Sequence, residues 1–363
     1  MPLFFIAIAA TYLIANGYIY YKSWEVLQTF PLSVKWILSI LFWLGTLTIL
    51  FIFGNRNLPE KGTCIHLLYE IGTGWLVFTL YMTMLLLLTN LIRVFHISFN
   101  YQFITCFLLT IILLIGGYIS YIHPKTEVIN IDINKHVKGN KEVRVAAISD
   151  IHLGYGLTKE RVRKLMKKVQ NENPDLILIG GDLIDSNLKP IIAQHMEEEL
   201  NLLKAPLGIY MIPGNHEYIA GIGKCRQYVQ KNTHIQWLQD KTITLPNGVQ
   251  IIGRDDRHNF RRKSLEEFTT TLNSDYPIVL LDHQPYELDK TAQSGIDLQF
   301  SGHTHHGQIW PISLLTDYLF ELSHGYKKIK DSHIYVSSGL SLWGPPFRIG
   351  TQSEIVIFNL KFN

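Results

Sequence analysis

Little in this sequence points to disulfides, thiolate metal sites or nucleic acid. Its 363 residues include three cysteines, Cys64, Cys106 and Cys225, with no CxxC among them. That excludes a disulfide framework and a cysteine-ligated zinc site, and fits a reducing compartment. Charge is scarce as well. Charged residues make up 17% against 47% hydrophobic, too few for a wholly soluble protein. The net charge is only +3, with no Lys/Arg-rich block, so no nucleic-acid binding surface is expected. The N-terminus lacks a basic start, a small-x-small cleavage site and a twin-Arg pair, and does not read as a cleaved signal.

The shortage of charge is concentrated in residues 1–122, where four apolar stretches stand out: Pro2–Tyr21, Lys35–Phe53, Trp75–Ile92 and Phe103–Ile122. Each is close to the ~20 residues that cross a hydrocarbon core of about 30 Å. Tyr18, Tyr20, Tyr21, Trp24, Trp36, Trp75, Tyr101 and Tyr121 sit near their ends, as interfacial anchors do. Buried helices of a soluble protein are the alternative, but the charge-free run Thr83–Thr89 argues against it. The expectation is a membrane domain of about four transmembrane helices over residues 1–123, followed by a soluble domain over 124–363. Lys22 and Lys35 fall in the first loop, Arg56 and Lys61 in the second, and Arg93 in the third. Lys125, Lys135, Lys138 and Lys141 follow the last crossing. This balance favours both ends, and the soluble domain, in the cytoplasm. No acid or base interrupts the spans, and Asn16 and Asn90 are the main polar intruders, so anchoring is preferred over transport.

After His123-Pro124, apolar segments of two periods alternate. Residues 125–142 alternate through Val128, Ile129, Ile131 and Ile133, then turn at Lys138-Gly139-Asn140, and read as an edge strand leading into the soluble domain. Val145–Ile148, Asp175–Ile179, Gly208–Ile212, Pro277–Leu281 and Leu298–Phe300 read as short buried strands. Val162, Leu165, Met166 and Val169, after a capping Thr158, predict a helix. Ile192, Met196, Leu200 and Leu203 predict another over 189–203, and Ser264–Leu272 a third. Asn247-Gly248 marks a hairpin. His333–Val336 and Glu354–Phe358 are expected to close the sheet.

Asp150, Asp182, Asn215, His283 and His303 each follow a short apolar strand, with Gly181, Gly214 and Gly302 leading three of them. Open α/β sheets bind ligands outside the carboxyl ends of their strands. Asp150 and His152, two apart in an extended chain, could aim at one point. So could His303 and His305. A lone Asp-x-His is more often a strand-end turn with a surface His, so the weight lies on the set.

That set is Asp150-x-His152, Gly181-Asp182-x-x-Asp185, Gly214-Asn215-His216-Glu217, His283 and Gly302-His303-x-His305. It resembles the calcineurin-like metallophosphoesterases from about residue 143 to the C-terminus. Gly307-Gln308 and Val336–Leu340 look like the bacterial membrane-associated branch of that family. The resemblance implies an α/β fold, an αββα sandwich of two sheets flanked by helices. It also implies two divalent metal ions, with Asp182 bridging, Asp150, His152 and His305 completing one metal, and Asn215, His283 and His303 the other. Nitrogen and oxygen donors without Cys suit Mn, Fe, Zn or Co. Two close cations would neutralise phosphoryl oxygens and lower the pKa of a bound water. His216 is implied as the catalytic group that assists the leaving oxygen, and Asp185 as the residue that orients a neighbouring His. His306 stands where that branch commonly has a small residue, and could touch substrate or face solvent. Arg348 could pair with a phosphate, with a structural salt bridge the plainer reading.

Two apolar segments, Trp310–Phe320 and Leu340–Phe347, flank the late motifs. They are either ordinary packing or a rim that meets the bilayer. The expected function is a membrane-anchored phosphoesterase acting on a phosphodiester, phosphomonoester or pyrophosphate, with a lipid-linked substrate favoured. The alternatives are a nucleotide phosphodiesterase, or a metal-binding membrane sensor or scaffold without turnover.

Overall fold

The structure is a computed structural model and describes residues 2–55, 58, 62–96 and 100–363. Arg56 and Lys61, which enter the charge-based orientation, lie outside them. The chain divides into two units: Met1–Ile119 with Gly344–Ile349, and Ser120–Trp343 with Gly350–Asn363.

The first unit is helical, with helices Pro2–Leu27, Leu32–Gly54, Thr63–Arg93 and Gln102–Ile122. Among the described residues three stretches are long and apolar enough to cross a membrane: Leu32–Gly54, Cys64–Arg93 and Gln102–Ile122. The expected fourth, Pro2–Tyr21, falls in the helix Pro2–Leu27, 26 residues long; its first side chains lie outside the described residues, and over the described ones it does not join the three. Over its described side chains Asn16, Lys22 and several tyrosines dilute the apolar run. Asn16, one of the unit's buried polar residues, is satisfied from two neighbouring helices: its Oδ1 accepts from Thr46 Oγ1 (3.1 Å), Trp75 Nε1 (3.0 Å) and Thr79 Oγ1 (3.2 Å). Such a node pins helices together where no water can compete. Asn90, the other polar intruder, is held similarly by Tyr18 and Gln102.

The second unit holds two six-stranded sheets. The strands are β1 (Lys125–Ile133), β2 (Glu142–Ile148), β3 (Leu176–Ile179), β4 (Ile209–Met211), β5 (Gln236–Trp237), β6 (Lys241–Thr244), β7 (Gln250–Gly253), β8 (Ile278–Leu281), β9 (Leu298–Ser301), β10 (Gly325–Ile329), β11 (Ser332–Val336) and β12 (Glu354–Phe362). One sheet runs β1-β12-β2-β3-β4-β5 and the other β10-β11-β9-β8-β7-β6. The strands expected to close one sheet thus belong to two: β11 to the second and β12 to the first.

Strand alternation builds the layers. Val143, Val145 and Ala147 point into a core shared with Val279, Leu281, Leu298 and Phe300 of the other sheet. Ala146 and Ile148 point the opposite way, against Val162, Leu165, Met166 and Val169 of the helix Lys159–Gln170. Leu265 and Phe268 cover the outer face of the second sheet over Ile252, Ile278 and Leu280. This is the αββα sandwich that the sequence implies.

Two expected helices are shorter than their patterns. Residues 189–203 break into Lys189–Gln194 and Glu197–Leu200, because His195 takes a left-handed conformation (φ 52°). Ser264–Leu272 is helical only at Glu266–Thr269. The edge strand forms but stops at Ile133, short of the expected 142, while the Asn247-Gly248 hairpin (Lys241↔Gly253 to Thr244↔Gln250) forms as expected.

Candidate metal centre

β2, β3 and β4 run parallel, with Ile148 opposite Ile179 and Ile179 opposite Met211. Their carboxyl ends are therefore level, and deliver Asp150, Asp182 and Asn215 to one rim. Parallel β8 and β9 bring His283 and His303. Asp150, His152, Asp182, His303 and His305 all adopt positive φ, between 49° and 73°. For residues with a Cβ this is strained backbone, which persists only where surrounding contacts enforce it and which gathers at functional sites. Here His152 N–H donates to Asp182 O (3.0 Å) and Asp150 N–H to Gly181 O (3.1 Å). His303 and His305 do not share an extended segment, as the sequence suggested. The chain turns through the short 3-10 helix His305–Gly307, and the two rings serve different clusters.

Three groups of donor atoms converge, each within 4.8 Å: Asp150, His152 and His305; His152, Asp182 and His216; and Asp182, His283 and His303. In the first, His152 Nε2 lies 3.0 Å from His305 Nε2, which is 3.4 Å from Asp150 Oδ1. In the last, Asp182 Oδ2 is 3.2 Å from His283 Nε2, and Asn215 Oδ1 is 3.2 Å from His283 Nε2 and 2.9 Å from His303 Nδ1. Asp182 Oδ2 also lies 3.8 Å from His152 Nε2, so its carboxylate belongs to both sides.

The donor chemistry fits divalent metal. Buried Asp150 and Asp182 have no Lys or Arg within ion-pair distance among the described residues. Ring nitrogens face one another across the gap, and oxygen and nitrogen donors are mixed as Mn, Fe, Zn or Co accept them. Burial raises the Asp150 carboxyl above its ordinary range. Burial also opposes ionisation of Asp182, but His283, and then His152 and His216, overcome it and hold that carboxyl well below the usual value. Burial lowers His303 to about 4, helped by charge on His283, keeping it neutral as a ligand must be.

Other side chains position these. His283 Nδ1 donates to Gly180 O (2.7 Å), leaving Nε2 aimed at the cluster. Asp185 Oδ1 is 3.0 Å from His216 Nδ1 and 3.6 Å from His152 Nδ1. Burial works against its charge, but those two rings lower it to about 2. For His216, burial favours the neutral form, yet Asp185 together with the charges of Asp182 and Glu217 raises it to about 9. With Nδ1 held, its Nε2 is left for the site.

Close backbone approach explains the glycines. A Cβ on Gly214 would sit 2.2 Å from Asp182 Oδ1, and one on Gly302 2.2 Å from Asp150 Oδ2. Gly181 needs its freedom for a second reason, a φ of 97°.

Glu217 was quoted in the motif without a role. Its buried carboxylate accepts from the N–H groups of Gly214 (2.7 Å), Ile184 (2.8 Å) and Asp182 (3.1 Å), tying two strand exits together. Burial and Asp182 raise it to about 8. The Gly-x-x-Glu spacing, half of a capping box, was the available signal. Ser149 was also missed; its Oγ donates to Asp150 Oδ2 (2.6 Å). The segment Val336–Leu340, noted only for its likeness, braces the same strand exit: Leu340 and Ser341 N–H donate to Ser149 O and Asp150 O.

Two singled-out residues are not among the three donor groups. His306 stacks on His324 (centroids 4.6 Å) with Nε2 3.8 Å from Asp317. Arg348 is buried and belongs to the helical unit, its N–H donating to Gly117 O (2.9 Å). Phe347 also lies in that unit, beside Tyr118, whereas Trp343 stands edge-on to His216 at 6.2 Å.

The family model for calcineurin-like phosphoesterase matches residues 143–307. An uncharacterized metallophosphoesterase of Campylobacter jejuni is 35% identical over 61% of this chain and 60% of its own length. One of Aquifex aeolicus is 30% identical over 65% of this chain and 92% of its own length. A Danio rerio transmembrane protein with metallophosphoesterase domain is 27% identical over 72% of this chain and 63% of its own length. The chain thus spans about three fifths of the Campylobacter relative.

Proposed function

The chain belongs to the calcineurin-like metallophosphoesterases, and on that footing we propose that it is a membrane-anchored hydrolase of phosphoesters that works with two divalent cations. The observation that carries this reading is the placement of Asp182, 3.2 Å from His283 and 3.8 Å from His152, in reach of both donor groups. Asp150, His152 and His305 would hold one cation, Asn215, His283 and His303 the other, with Asp182 between them. Bound there, the cations would neutralise charge on the phosphoryl oxygens and make a water nucleophilic near neutral pH.

The protein's own groups do the rest. Asp185 fixes the His216 ring through Nδ1. His216 offers a proton from Nε2 to the departing oxygen. Trp343, about half exposed beside His216, forms an apolar wall to the leaving-group side. That wall favours an ester with a greasy or lipid-linked leaving group over a nucleotide. The lysines after the last apolar helix favour a cytoplasmic site.

The test is hydrolysis of a soluble chromogenic phosphodiester by the full-length protein, with its metal content measured in parallel. Asp182→Asn should lose both metal and turnover. His216→Ala should keep the metal and lose turnover. Metal bound without hydrolysis of any soluble or lipid-extract phosphoester would leave a sensor or scaffold instead.

A further inference from the structure

The helix Ile312–Leu319 turns most of its apolar residues outward. Ser313 is buried and Thr316 half-buried, while Ile312, Leu314, Leu315, Tyr318 and Leu319 are exposed, Tyr318 to 86%; Asp317 is exposed as well and accepts from Ser323 Oγ at the helix end. Single exposed apolar residues are normal on any protein. Five within eight residues make a contiguous patch of the kind that marks an interaction surface.

Its surroundings within the same unit name the occupant. Ser120 and His123, where the last apolar helix ends, both offer their carbonyls to Gln352 Nε2 (3.0 and 2.7 Å). Next to Gln352, Thr351 Oγ1 donates to Gln308 O (2.5 Å), and Gly350 lies against Trp310. The exposed helix is therefore rooted beside the end of the last apolar helix. At its other end Phe320 packs on Tyr286 (5.1 Å), and the Arg257 guanidinium covers the Tyr286 ring (4.6 Å). The loop beyond carries Phe260, 99% exposed, between Arg257 and the exposed Arg261 and Lys263. Apolar residues with aromatic ends and neighbouring cations are the composition of the membrane–water interface.

We propose that the helix Ile312–Leu319 lies in the headgroup region of the bilayer that anchors the chain, with the basic loop around Phe260 resting beside it on anionic lipid. The docking stands whether or not the protein is a hydrolase. Its consequence for substrate rests on that reading. His303 packs on Phe320 (6.0 Å), and His305 lies four residues before Ile309, so the donor clusters would open beside the lipid surface. An amphiphilic phosphoester would then reach them without leaving the bilayer.

The test uses the full chain with Cys64→Ser, one copy per nanodisc of phosphatidylcholine and phosphatidylglycerol. An environment-sensitive fluorophore is attached at Leu315→Cys or Tyr318→Cys. Asp331→Cys, in the exposed turn between β10 and β11 at the far end of the sheet, is the reference. Circular dichroism and a monodisperse elution profile establish that each variant is folded. Interfacial residues sit ~5–10 Å into the headgroup boundary, so nitroxide lipids should remove about half the emission at 315 and 318 and leave 331 unchanged. Equal, water-like behaviour at all three positions would overturn the proposal. So would shielding at 315 and 318 that appears only with two copies per disc, which would make the patch a protein interface.

Discussion

Gly214→Ala adds one methyl group, and the geometry says where it must go. Gly214 has φ −111° and ψ −170°, ordinary extended backbone for any residue, so the change adds no conformational strain. The new Cβ would lie 2.2 Å from Asp182 Oδ1, 2.7 Å from Asp182 N and 2.8 Å from His283 Nε2. All are inside the 3.0 Å that real Cβ atoms keep, and the closest is short by 3.0 − 2.2 = 0.8 Å. Neither side chain can swing clear: Asp182 is buried and receives the His216 N–H, and His283 is held through Nδ1 by Gly180 O. Overpacking of this kind costs about 1–3 kcal/mol of stability. Moving a group at the centre of both donor clusters by roughly 1 Å should lower turnover by about 100-fold. The control is Gly223→Ala, in the helix Ile222–Asn232 with open space around its Cβ, which should be neutral or stabilise by roughly 0.5–1 kcal/mol. The assay is metal-dependent hydrolysis of a soluble phosphodiester, alongside metal stoichiometry and an unfolding midpoint. A Gly214→Ala protein with full metal content and full turnover would refute the claim that Asp182 sits where both cations need it.

Other outcomes follow from the same geometry. Asp185→Asn, which releases both His152 and His216, should cost about 10–100-fold in metal affinity or activity, read by metal titration and initial rates. Removal of metal by a chelator should abolish hydrolysis, and re-addition of divalent ions one at a time should restore it and identify the preferred metal. Trp343→Ser should reduce activity on micellar lipid esters more than on a soluble ester, and equal losses would argue against an apolar leaving-group wall. Glu354 supplies a test of stability against pH. Burial opposes its charge, but the His324 contact and the Ser338 N–H lower its carboxyl below the ordinary 4.5. A lowered folded-state value means stability fully present above 4.5 and lost as the pH falls through the folded value. Glu354→Gln should therefore flatten the acid limb of the unfolding midpoint, and an unchanged acid limb would show that the carboxylate adds nothing there.

The parts of the fold that were legible in the sequence are those set by local periodicity. The strands ahead of Asp150, Asp182, His283 and His303 read correctly because each is a short apolar run closed by a polar break. The helix Lys159–Gln170 read correctly because Thr158 caps it and its apolar residues keep one face. The failures arose where distant contacts decide. His195 interrupts an unbroken helical pattern, and the turn at His305 replaces an extended segment. The Gly-x-x-Glu spacing marks one of the three bonds to Glu217, but the other two come from N–H groups 33 and 35 residues away, which no local pattern encodes. His306 had no pattern to place it, since its neighbour His324 is brought in only by the fold. Arg348 could not be placed either, because its loop is grouped with helices more than 200 residues earlier.

β12 lies inside its sheet, hydrogen-bonded to β1 on one side and to β2 on the other. A ribosome that has released residues 1–353 has already delivered every acidic and imidazole donor named above, but not the strand that joins β1 to the remainder. Until residues 354–362 emerge, two backbone edges stay open at the place where the sheet will close, and nascent chains in that condition are prone to pairing with the wrong neighbour. Translation that stops early would leave a product with an unfinished sheet, and a short deletion from β12 should be more damaging than its distance from the donor atoms would indicate.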